Sequence, residues 1–415
     1  MANLGDIVRS EYYATHGYPH EAWTQLRRES PVHRFELDGY DRFWAVTRYD
    51  DIARVSRQPR MFLNAPRLAF SSQRFPVRAP EDFARSLLNM DPPEHGKYRG
   101  LVNRRFTPHA LSFLRAHVER LSAAIVDEVA RRLVGDVARK GGCDFVTDVA
   151  ARLPLAVILE LLGVPRDDWR IIFEWTNQAI APAEPEYRQG KTVAETAEHV
   201  RAAMFDYFGR YVAERRLAPR EDLVSVLVQS RIEGEPVSDF EILSYCFLLA
   251  VAGNETTRNA TPGGLLALIE HPGELERLRQ DPTLLPAAVE EVLRWTSPVI
   301  HFCRTAAAEA EVGGQHIAKG DLLILFYPSA NRDEDVFADP FRFDVGREPN
   351  EHIAFGIGEH FCLGANLARL ELTAILAEVL RRLHAFELAG PVERARSIIV
   401  GGIKRMPVRF KVRAV

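Results

Sequence analysis

The stretch Phe355-Gly356-Ile357-Gly358-Glu359-His360-Phe361-Cys362-Leu363-Gly364 decides how this chain is interpreted. Its glycines let the backbone approach a flat partner that a Cβ atom would hold away. The residues that follow predict a helix from Leu363 to Leu383, so Cys362 lies just before a helix N-terminus. Helix N-termini and nearby cations lower the pKa of a cysteine and favour the thiolate, which is the form that binds metals.

A single thiolate on such a loop suits the axial position of a haem iron, where its electron donation favours O–O bond cleavage. The plain alternative is an inert cysteine that behaves as a small hydrophobic residue. The loop pattern around Cys362 favours the first interpretation. The other cysteines (Cys143, Cys246 and Cys303) are scattered without a CxxC pair, which argues against a disulfide framework and against a zinc ribbon.

Composition restricts the class of protein. The chain has 415 residues, of which 47% are hydrophobic, and its formal net charge is -4. A nearly balanced charge argues against nucleic acid as a partner. Since no linker and no repeat stands out, we expect a single domain over 1–415. The polar N-terminus lacks the apolar run of a signal peptide or membrane anchor, and the cysteine pattern fits a reducing compartment, so we expect a cytoplasmic location.

Periodicity predicts a mainly α protein with a minor β region. The stretch Asn64–Asn89 has no clear period and is typical of a long binding loop. Ser238 and Glu241 form a capping box that opens a long helix, and the apolar run Ile242–Ala252 predicts that this helix crosses the core. Pro262 removes a backbone hydrogen bond, so we expect the helix to bend or break there.

The segment Ala252-Gly253-Asn254-Glu255-Thr256-Thr257 interrupts the apolar run of this helix. Residues four apart share a helix face, so Leu248, Ala252 and Thr256 form one stripe. The two small residues leave room for a ligand or cofactor beside the helix. A buried carboxylate at Glu255 next to the Thr256 hydroxyl suits proton delivery. The alternative is a packing defect with a solvent-facing glutamate.

Charged residues elsewhere suggest two further features. Glu291 and Arg294 are three residues apart on a predicted helix and so meet on one face, although such a pair is most often a surface ion pair. Four basic residues fit an anionic ligand better than they fit unrelated surface contacts. Haem carries two propionates, which need cationic partners when they are buried. The basic residues in question are His95, Arg99, Arg304 and His352.

Four motifs thus follow one another in order: Ala252 to Thr257, Glu291-Val292-Leu293-Arg294, Pro340-Phe341-Arg342-Phe343 and Phe355 to Gly364. With them the chain resembles a bacterial cytochrome P450, a soluble haem-thiolate monooxygenase, from about Tyr18 to the C-terminus. The resemblance implies the cytochrome P450 fold. This is a triangular, mainly helical single domain with haem b between a long central distal helix and the cysteine loop.

Carried over residue by residue, the resemblance makes Cys362 the iron ligand, Thr256 and Glu255 the catalytic acid–alcohol pair, and Glu291 with Arg294 a structural pair near Asn331 and Arg342. It implies that the residues in contact with haem are His95, Arg99, Ala252, Gly253, Arg304, His352, Phe355, Gly356, Gly358, Cys362 and Gly364. It also implies an apolar substrate pocket lined by Leu248, Val251, Val299, Ile300, Phe302 and Val400.

The implied activity is insertion of one oxygen atom from O2 into a hydrophobic small molecule, such as a steroid, terpenoid, fatty acid or polyketide-like compound. The phrases Val251–Asn259 and Gly402-Ile403-Lys404 resemble those of bacterial enzymes that oxidise sterols, terpenoids and branched lipids. His360 occupies a position where many relatives have Arg or His. The helices around Pro182–Pro185 are expected to act as a lid over the substrate.

Electrons are expected from a separate ferredoxin and its reductase, which draw on NAD(P)H, and a group of basic residues can steer such an acidic partner. These residues are Lys97, Arg104, Arg105 and His109. Three alternatives stay open at this point. They are a peroxide-driven haem-thiolate peroxygenase, a non-catalytic haem-binding sensor, and a structural helical protein without haem.

Overall fold

The computed structural model describes residues 2–70, 86–134 and 142–413, so residues 71–85 of the predicted loop Asn64–Asn89 lie outside the described part. Helices dominate this part of the chain. They are α1 (Ser10–His16), α2 (His20–Glu29), α3 (Tyr49–Ser56), α4 (Glu94–Asn103), α5 (Pro108–Ser112), α6 (Arg115–Val134), α7 (Arg152–Leu161), α8 (Trp169–Ile180), α9 (Pro185–Arg188), α10 (Val193–Leu217), α11 (Leu223–Gln229), α12 (Asp239–Glu270), α13 (Pro272–Gln280), α14 (Leu285–Thr296), α15 (Tyr327–Ala330) and α16 (Ala365–Arg382).

Strands form the minor part of the fold, as the sequence predicts. They are β1 (Val32–Phe35), β2 (Phe43–Val46), β3 (Phe62–Leu63), β4 (Gly142–Asp144), β5 (Arg231–Ile232), β6 (Glu235–Pro236), β7 (His301–Ala306), β8 (Ala310–Val312), β9 (Gln315–Ile317), β10 (Leu322–Phe326), β11 (Leu383–Leu388), β12 (Glu393–Arg394), β13 (Ile403–Arg405) and β14 (Pro407–Val412).

The largest sheet has the order β1-β2-β10-β7-β3. Its β2 and β10 run parallel, with Ile324 opposite Ala45, while the other neighbours are antiparallel. Two apolar clusters lie against this sheet, and a third, larger cluster fills the helical part around α12. A second sheet of order β11-β14-β4 joins the C-terminal strands to the segment between α6 and α7.

The helix α12 runs through the centre of the helical part for 32 residues. Its start follows the predicted capping box, because the Ser238 hydroxyl accepts from the Glu241 amide and the Glu241 carboxylate accepts from the Ser238 amide. It packs against several other helices, namely α7, α8, α10, α14 and α16. This central position lets one helix contact both α8 and α10 on one side and α16, which follows Cys362, on the other.

The expected break at Pro262 is wrong, because α12 continues without interruption to Glu270. The glycines that follow serve packing instead. A Cβ atom on Gly263 would lie 2.6 Å from Thr296 Cγ2, and one on Gly264 would lie 2.7 Å from Val292 Cγ1. Burial of this segment against α14 therefore outweighs the hydrogen bond that the proline removes.

In the part of the chain that the structure describes, no helix is both long enough and apolar enough to cross a bilayer.

Candidate active site

The cysteine loop is a tight backbone turn that ends at the start of α16. The Cys362 amide donates to the Phe355 carbonyl at 2.9 Å, which closes the loop. Gly356 and Gly358 have φ values of 70° and 82°, a region that favours glycine. A Cβ atom on Gly358 would also lie 2.7 Å from the Ser56 carbonyl oxygen, so α3 supports the loop from behind.

The Cys362 side chain is exposed, yet protein surrounds it densely, so it lies in a concave space. Burial of its surroundings raises the pKa of the thiol, whereas the Gly364 amide, Arg99 and Arg369 lower it. The amide and the two guanidinium groups stabilise the thiolate, as expected for a cysteine at a helix N-terminus. Because burial outweighs these groups and leaves the pKa of the Cys362 thiol raised, a cationic metal centre at the sulfur would supply the further stabilisation that the thiolate needs.

Positive side chains from three separate segments converge near this loop. His95 and Arg99 come from α4 and Arg304 from β7, while His360 belongs to the loop. The rings of His95 and His360 lie 4.0 Å apart. Burial, followed by the charges of His95, Arg304 and Arg99, lowers the pKa of His360 to about 3.

This group, which we call the cationic cluster (His95, Arg99, Arg304 and His360), combines two guanidinium charges with two imidazole rings, and Glu359 is the carboxylate paired with it. His95 Nδ1 lies 3.2 Å from Glu359 Oε1, but the buried His360 Nε2 has no hydrogen-bond partner among the described residues. The buried charge of Arg304, the partly buried charge of Arg99 and an orphaned ring nitrogen are costly unless an anion binds them. Two propionates of a haem fit this donor set, so the residues present suit the group that the resemblance implies.

His352, expected to be a propionate partner, lies elsewhere in the loop's surroundings. Its Nε2 is 3.2 Å from Glu290 Oε2, and its Nδ1 accepts from the Ala354 amide at 3.3 Å. Both ring nitrogens are engaged, so the arrangement leaves none for a propionate. His360, noted from the sequence only as compatible, takes the position within the cationic cluster that was expected of His352.

Arg369 is a residue that the sequence analysis missed. Its guanidinium lies 4.8 Å from the centre of the Phe355 ring and binds Glu290 through two hydrogen bonds of 2.7 and 2.8 Å. Burial opposes the charge of Glu290, but hydrogen bonds from Arg369 and His352 lower the pKa of this carboxyl to about 2. The position of Arg369 seven residues after Cys362, about one turn into α16, was the available signal.

On α12 the stripe Leu248, Ala252 and Thr256 is partly accessible, whereas most of the neighbouring helix is buried. The Thr256 hydroxyl donates to the Ala252 carbonyl at 3.1 Å. Gly253 does not face this open side, because a Cβ atom there would lie 2.8 Å from Ile158 Cγ1 on α7. Close helix packing therefore explains the glycine that we expected to make room for a cofactor.

Glu255 is fully buried, so the alternative of a solvent-facing glutamate is wrong. Arg258 forms an ion pair with its carboxylate, and the Asn254 amide donates to it at 3.2 Å. Burial raises the pKa of Glu255, while Arg258 and then a hydrogen bond from Thr176 lower it. Arg258 also contacts Asn177 of α8, so the carboxylate is linked to the segment expected to form the lid.

The pair Glu291–Arg294 is buried rather than a surface ion pair, with two hydrogen bonds of 2.7 and 2.8 Å. Arg294 also donates to the carbonyls of Asn331 at 2.8 Å and Arg342 at 3.3 Å. The carboxylate further accepts from two residues that sequence reasoning missed, Arg347 and Asn350. The pair thus holds the irregular segment before the cysteine loop in place.

The residues expected to line the substrate pocket differ in how accessible their side chains are. Val299 pairs with Val400 in an isolated bridge, and Phe302 and Leu248 are partly accessible, as pocket-lining side chains should be. Val251 is 8% exposed. Ile300 is the exception, because it is fully buried in the cluster with Trp23 and Phe326. Neighbouring residues of an extended chain point to opposite sides, so Val299 and Ile300 cannot both face the pocket.

A cysteine loop at a helix N-terminus, a cationic cluster suited to an anion and a helix with a buried acid define a haem-thiolate class of site. Comparisons with known proteins support the same class of site. The family model described as Cytochrome P450 matches residues 189–397. Cytochrome P450-terp of a Pseudomonas species is 36% identical over 97% of this chain and 96% of its own length. A methyl-branched lipid omega-hydroxylase of Mycobacterium tuberculosis is 38% identical over 98% of this chain and 92% of its own.

Solved structures of other proteins also superpose on this chain over nearly its whole length. A cytochrome P450 of Mycobacterium marinum, solved in complex with pseudoionone, superposes with a TM-score of 0.88. The two chains are 35% identical, and the match covers 97% of each. The chain belongs to the cytochrome P450 family. Its fold is therefore the P450 fold, its cofactor is haem iron, and its activity is that of a P450 monooxygenase.

Proposed function

We propose that the enzyme inserts one oxygen atom from O2 into a hydrophobic, branched isoprenoid or steroid-like molecule, with electrons from a separate ferredoxin and its NAD(P)H-dependent reductase. The accessible stripe on α12 and the apolar residues Val299, Phe302 and Val400 support an apolar substrate. Related proteins include a methyl-branched lipid omega-hydroxylase, a steroid C26-monooxygenase and a cytochrome P450 solved in complex with pseudoionone.

The observation that carries the proposal is the combination of an accessible hydroxyl at Thr256 with a fully buried carboxyl at Glu255 on one helix. Bound haem, held by Cys362 and by the cationic cluster, supplies redox chemistry with O2. Thr256 Oγ1 holds a proton at the open face of α12. Glu255 exchanges protons with it from the buried side, and apolar side chains exclude bulk water.

Isotope labelling tests the oxygen source and separates the proposal from a peroxygenase. With 18O2, reduced ferredoxin and substrate, the product should carry one 18O atom. The variant Thr256→Ala should consume NADH with less product and more peroxide, because the proton-bearing hydroxyl is lost. Thr261→Ala, a matched change on the same helix where the hydroxyl only bonds the Thr257 carbonyl, should stay coupled. Faster turnover with peroxide alone than with ferredoxin would contradict the proposal.

Substrate class is tested by spin-state titration of the purified haem protein with steroids, terpenoids, straight fatty acids and macrolides. Branched isoprenoid and steroid ligands should shift the Soret band at lower concentration than straight chains or macrolides. A response to macrolides alone would contradict the assigned class while leaving the monooxygenase activity intact.

The ferredoxin is expected to dock at the basic surface of α4 and the segment after it. Arg104 and Arg105 form a 3-10 turn beside this helix. Exposed charges of this kind steer partners and act chiefly on association rates. Arg104→Glu should slow the reduction of the enzyme by an acidic ferredoxin. Added salt should slow the same reduction step in the unsubstituted enzyme. A reduction rate independent of both changes would place the docking surface elsewhere.

A further inference from the structure

A group of charged residues joins the connection between α8 and α10 to the C-terminal hairpin of β12 and β13. The innermost contact is Lys404 Nζ to Glu184 Oε1 at 3.0 Å, with side chains only 13% and 6% exposed. The other oxygen of Glu184 accepts from the Arg396 amide at 3.1 Å. Glu184 therefore binds the hairpin through both of its carboxylate oxygens.

A second layer of contacts lies outside this pair. Arg405 binds Glu186 at 2.7 Å and Glu393 at 2.9 Å, and Lys404 also reaches Glu186 at 2.8 Å. Hydrogen bonds from Arg405 and Lys404 lower the pKa of Glu186. These outer side chains are between 41% and 46% exposed, so the layer is open to salt, whereas the inner pair is largely shielded.

The hairpin side of this network is fixed to the body of the protein. The Ile300 amide donates to the Ile399 carbonyl and the Gly401 amide donates to the Pro298 carbonyl, each at 2.8 Å. A Cβ atom on Gly402 would collide with the Asn259 side chain of α12. The hairpin is thus a rigid support whose backbone lies directly on the central helix.

The other side is a short segment between two long helices. The helix α8 ends at Ile180 and α10 begins at Val193, with the single turn α9 between them. Gln189 and Gly190 directly after this turn have φ values of 50° and 85°. Consecutive left-handed residues suit a hinge, since they join two helices through a sharp change of direction.

We propose that these five residues (Glu184, Glu186, Glu393, Lys404 and Arg405) form a salt-sensitive ionic latch that holds the α8–α10 connection closed over the substrate site. When the outer contacts of Glu186 with Lys404 and Arg405 break, the connection moves away from the hairpin. The attraction between Glu184 and Lys404 favours its return. The proposal rests on the proposed function in treating the space beneath the connection as the substrate site. Its test below measures the connection itself and needs no turnover.

The test is hydrogen exchange of the backbone amides in 182–192 of the haem-loaded enzyme. Glu186→Lys places like charges together, so exchange there should become about threefold faster or more. Arg405→Glu should do the same, and the double variant Glu186→Lys/Arg405→Glu should return towards the unsubstituted rate because the pair is restored with reversed sign. Glu174→Lys, which disrupts the exposed Arg170 pair on α8, should leave 182–192 unchanged.

Two outcomes would overturn the latch. One is exchange in the double variant that equals the sum of the two single effects. The other is an effect of Glu174→Lys as large as that of Glu186→Lys. Loss of monooxygenase activity with normal exchange would count against the proposed function and leave the latch standing.

Salt provides a measurement that needs no variant. Raising the ionic strength to about 1 M shortens the screening length to about 3 Å, which weakens the exposed layer. Exchange in 182–192 should accelerate, whereas exchange in the hairpin of β8 and β9, which contributes no residue to the latch, should not. Equal acceleration in both segments would contradict the proposal.

Discussion

At Glu255 the fold places a carboxyl group where water cannot reach it, and Arg258 provides the compensating charge. Other polar groups near this pair are Asn254 on the same helix, Thr176 and Asn177 on α8, and Tyr187 on α9, whose pKa the pair also perturbs. Burial favours the neutral acid and raises the pKa of Glu255, while Arg258 favours the ionised form and opposes that rise.

Removing Arg258 should therefore raise the pKa of Glu255 further. In Arg258→Gln, the infrared band of a protonated carboxyl, measured against Glu255→Gln as a blank, should persist to higher pH than in the unsubstituted enzyme. Arg170→Gln removes an exposed arginine of α8 and is the control. An unchanged midpoint in Arg258→Gln would show that this arginine does not set the charge of the acid.

Glu371 of α16 is a second buried carboxyl, which accepts a hydrogen bond from Thr257 and has an unpartnered Oε1. Burial raises its pKa to about 8 from an ordinary value of 4.5. The neutral form thus stabilises the fold at pH below 4.5, and this stabilisation is lost as pH rises towards 8.

Glu371→Gln should remove that dependence. Between pH 5 and 8 the unsubstituted protein should lose stability relative to the variant, by at most about 1.4 kcal/mol per pH unit. Chemical denaturation at several pH values measures the difference, with Glu387→Gln on the exposed strand β11 as control. A difference that is constant across pH would contradict the assignment of a neutral buried acid.

Local pattern was informative for some residues and misleading for others. The Glu291–Arg294 spacing and the Ser238 capping box predict contacts within one helix turn, and both occur. The sequence predicts Gly253 and Ile300 in the site, because nothing in their own segments shows that Ile158 packs against Gly253 or that Ile300 belongs to the buried cluster that contains Trp23. Whether His352 or His360 faces the cationic cluster depends on how the loop turns, which spacing alone does not determine.

Among the elements, α12 and α14 show how packing replaces the local preferences of a sequence. Pro262 and the two glycines after it predict a break, yet the helix continues because its glycines allow α14 to approach closely. Gly264→Ala should therefore destabilise the protein by about 1–3 kcal/mol, although alanine favours an isolated helix.

Gly209→Ala on α10 is the matched control, because a Cβ atom there meets nothing within 4 Å. It should be neutral or stabilising by up to about 1 kcal/mol. Adding Val292→Ala to Gly264→Ala should recover part of the loss, since it removes the side chain that the new methyl group would strike. Thermal or denaturant unfolding of the four proteins checks this. Equal effects of the two glycine substitutions would contradict the packing explanation.

At the scale of the whole molecule, function depends on segments that are far apart in the sequence and adjacent in the folded chain. The cysteine loop, α4 and β7 contribute to one cationic cluster although more than 200 residues separate His95 from Arg304. The sequence predicts three members, His95, Arg99 and Arg304, and the resemblance to a family predicts that they meet, whereas His360 takes the position that was expected of His352. The ionic latch had no sequence signal, because its members belong to two segments that contact each other only in the folded chain.

The central claim is that Cys362 provides the thiolate ligand of a haem iron. The most direct measurement is the absorption spectrum of the reduced protein with carbon monoxide. The unsubstituted protein should show the red-shifted Soret band that thiolate ligation produces, and Cys362→Ser should lose it, while Cys303→Ser, a buried cysteine away from the loop, should retain it. A red-shifted band that survives Cys362→Ser, or its absence from the haem-loaded unsubstituted protein, would contradict the account.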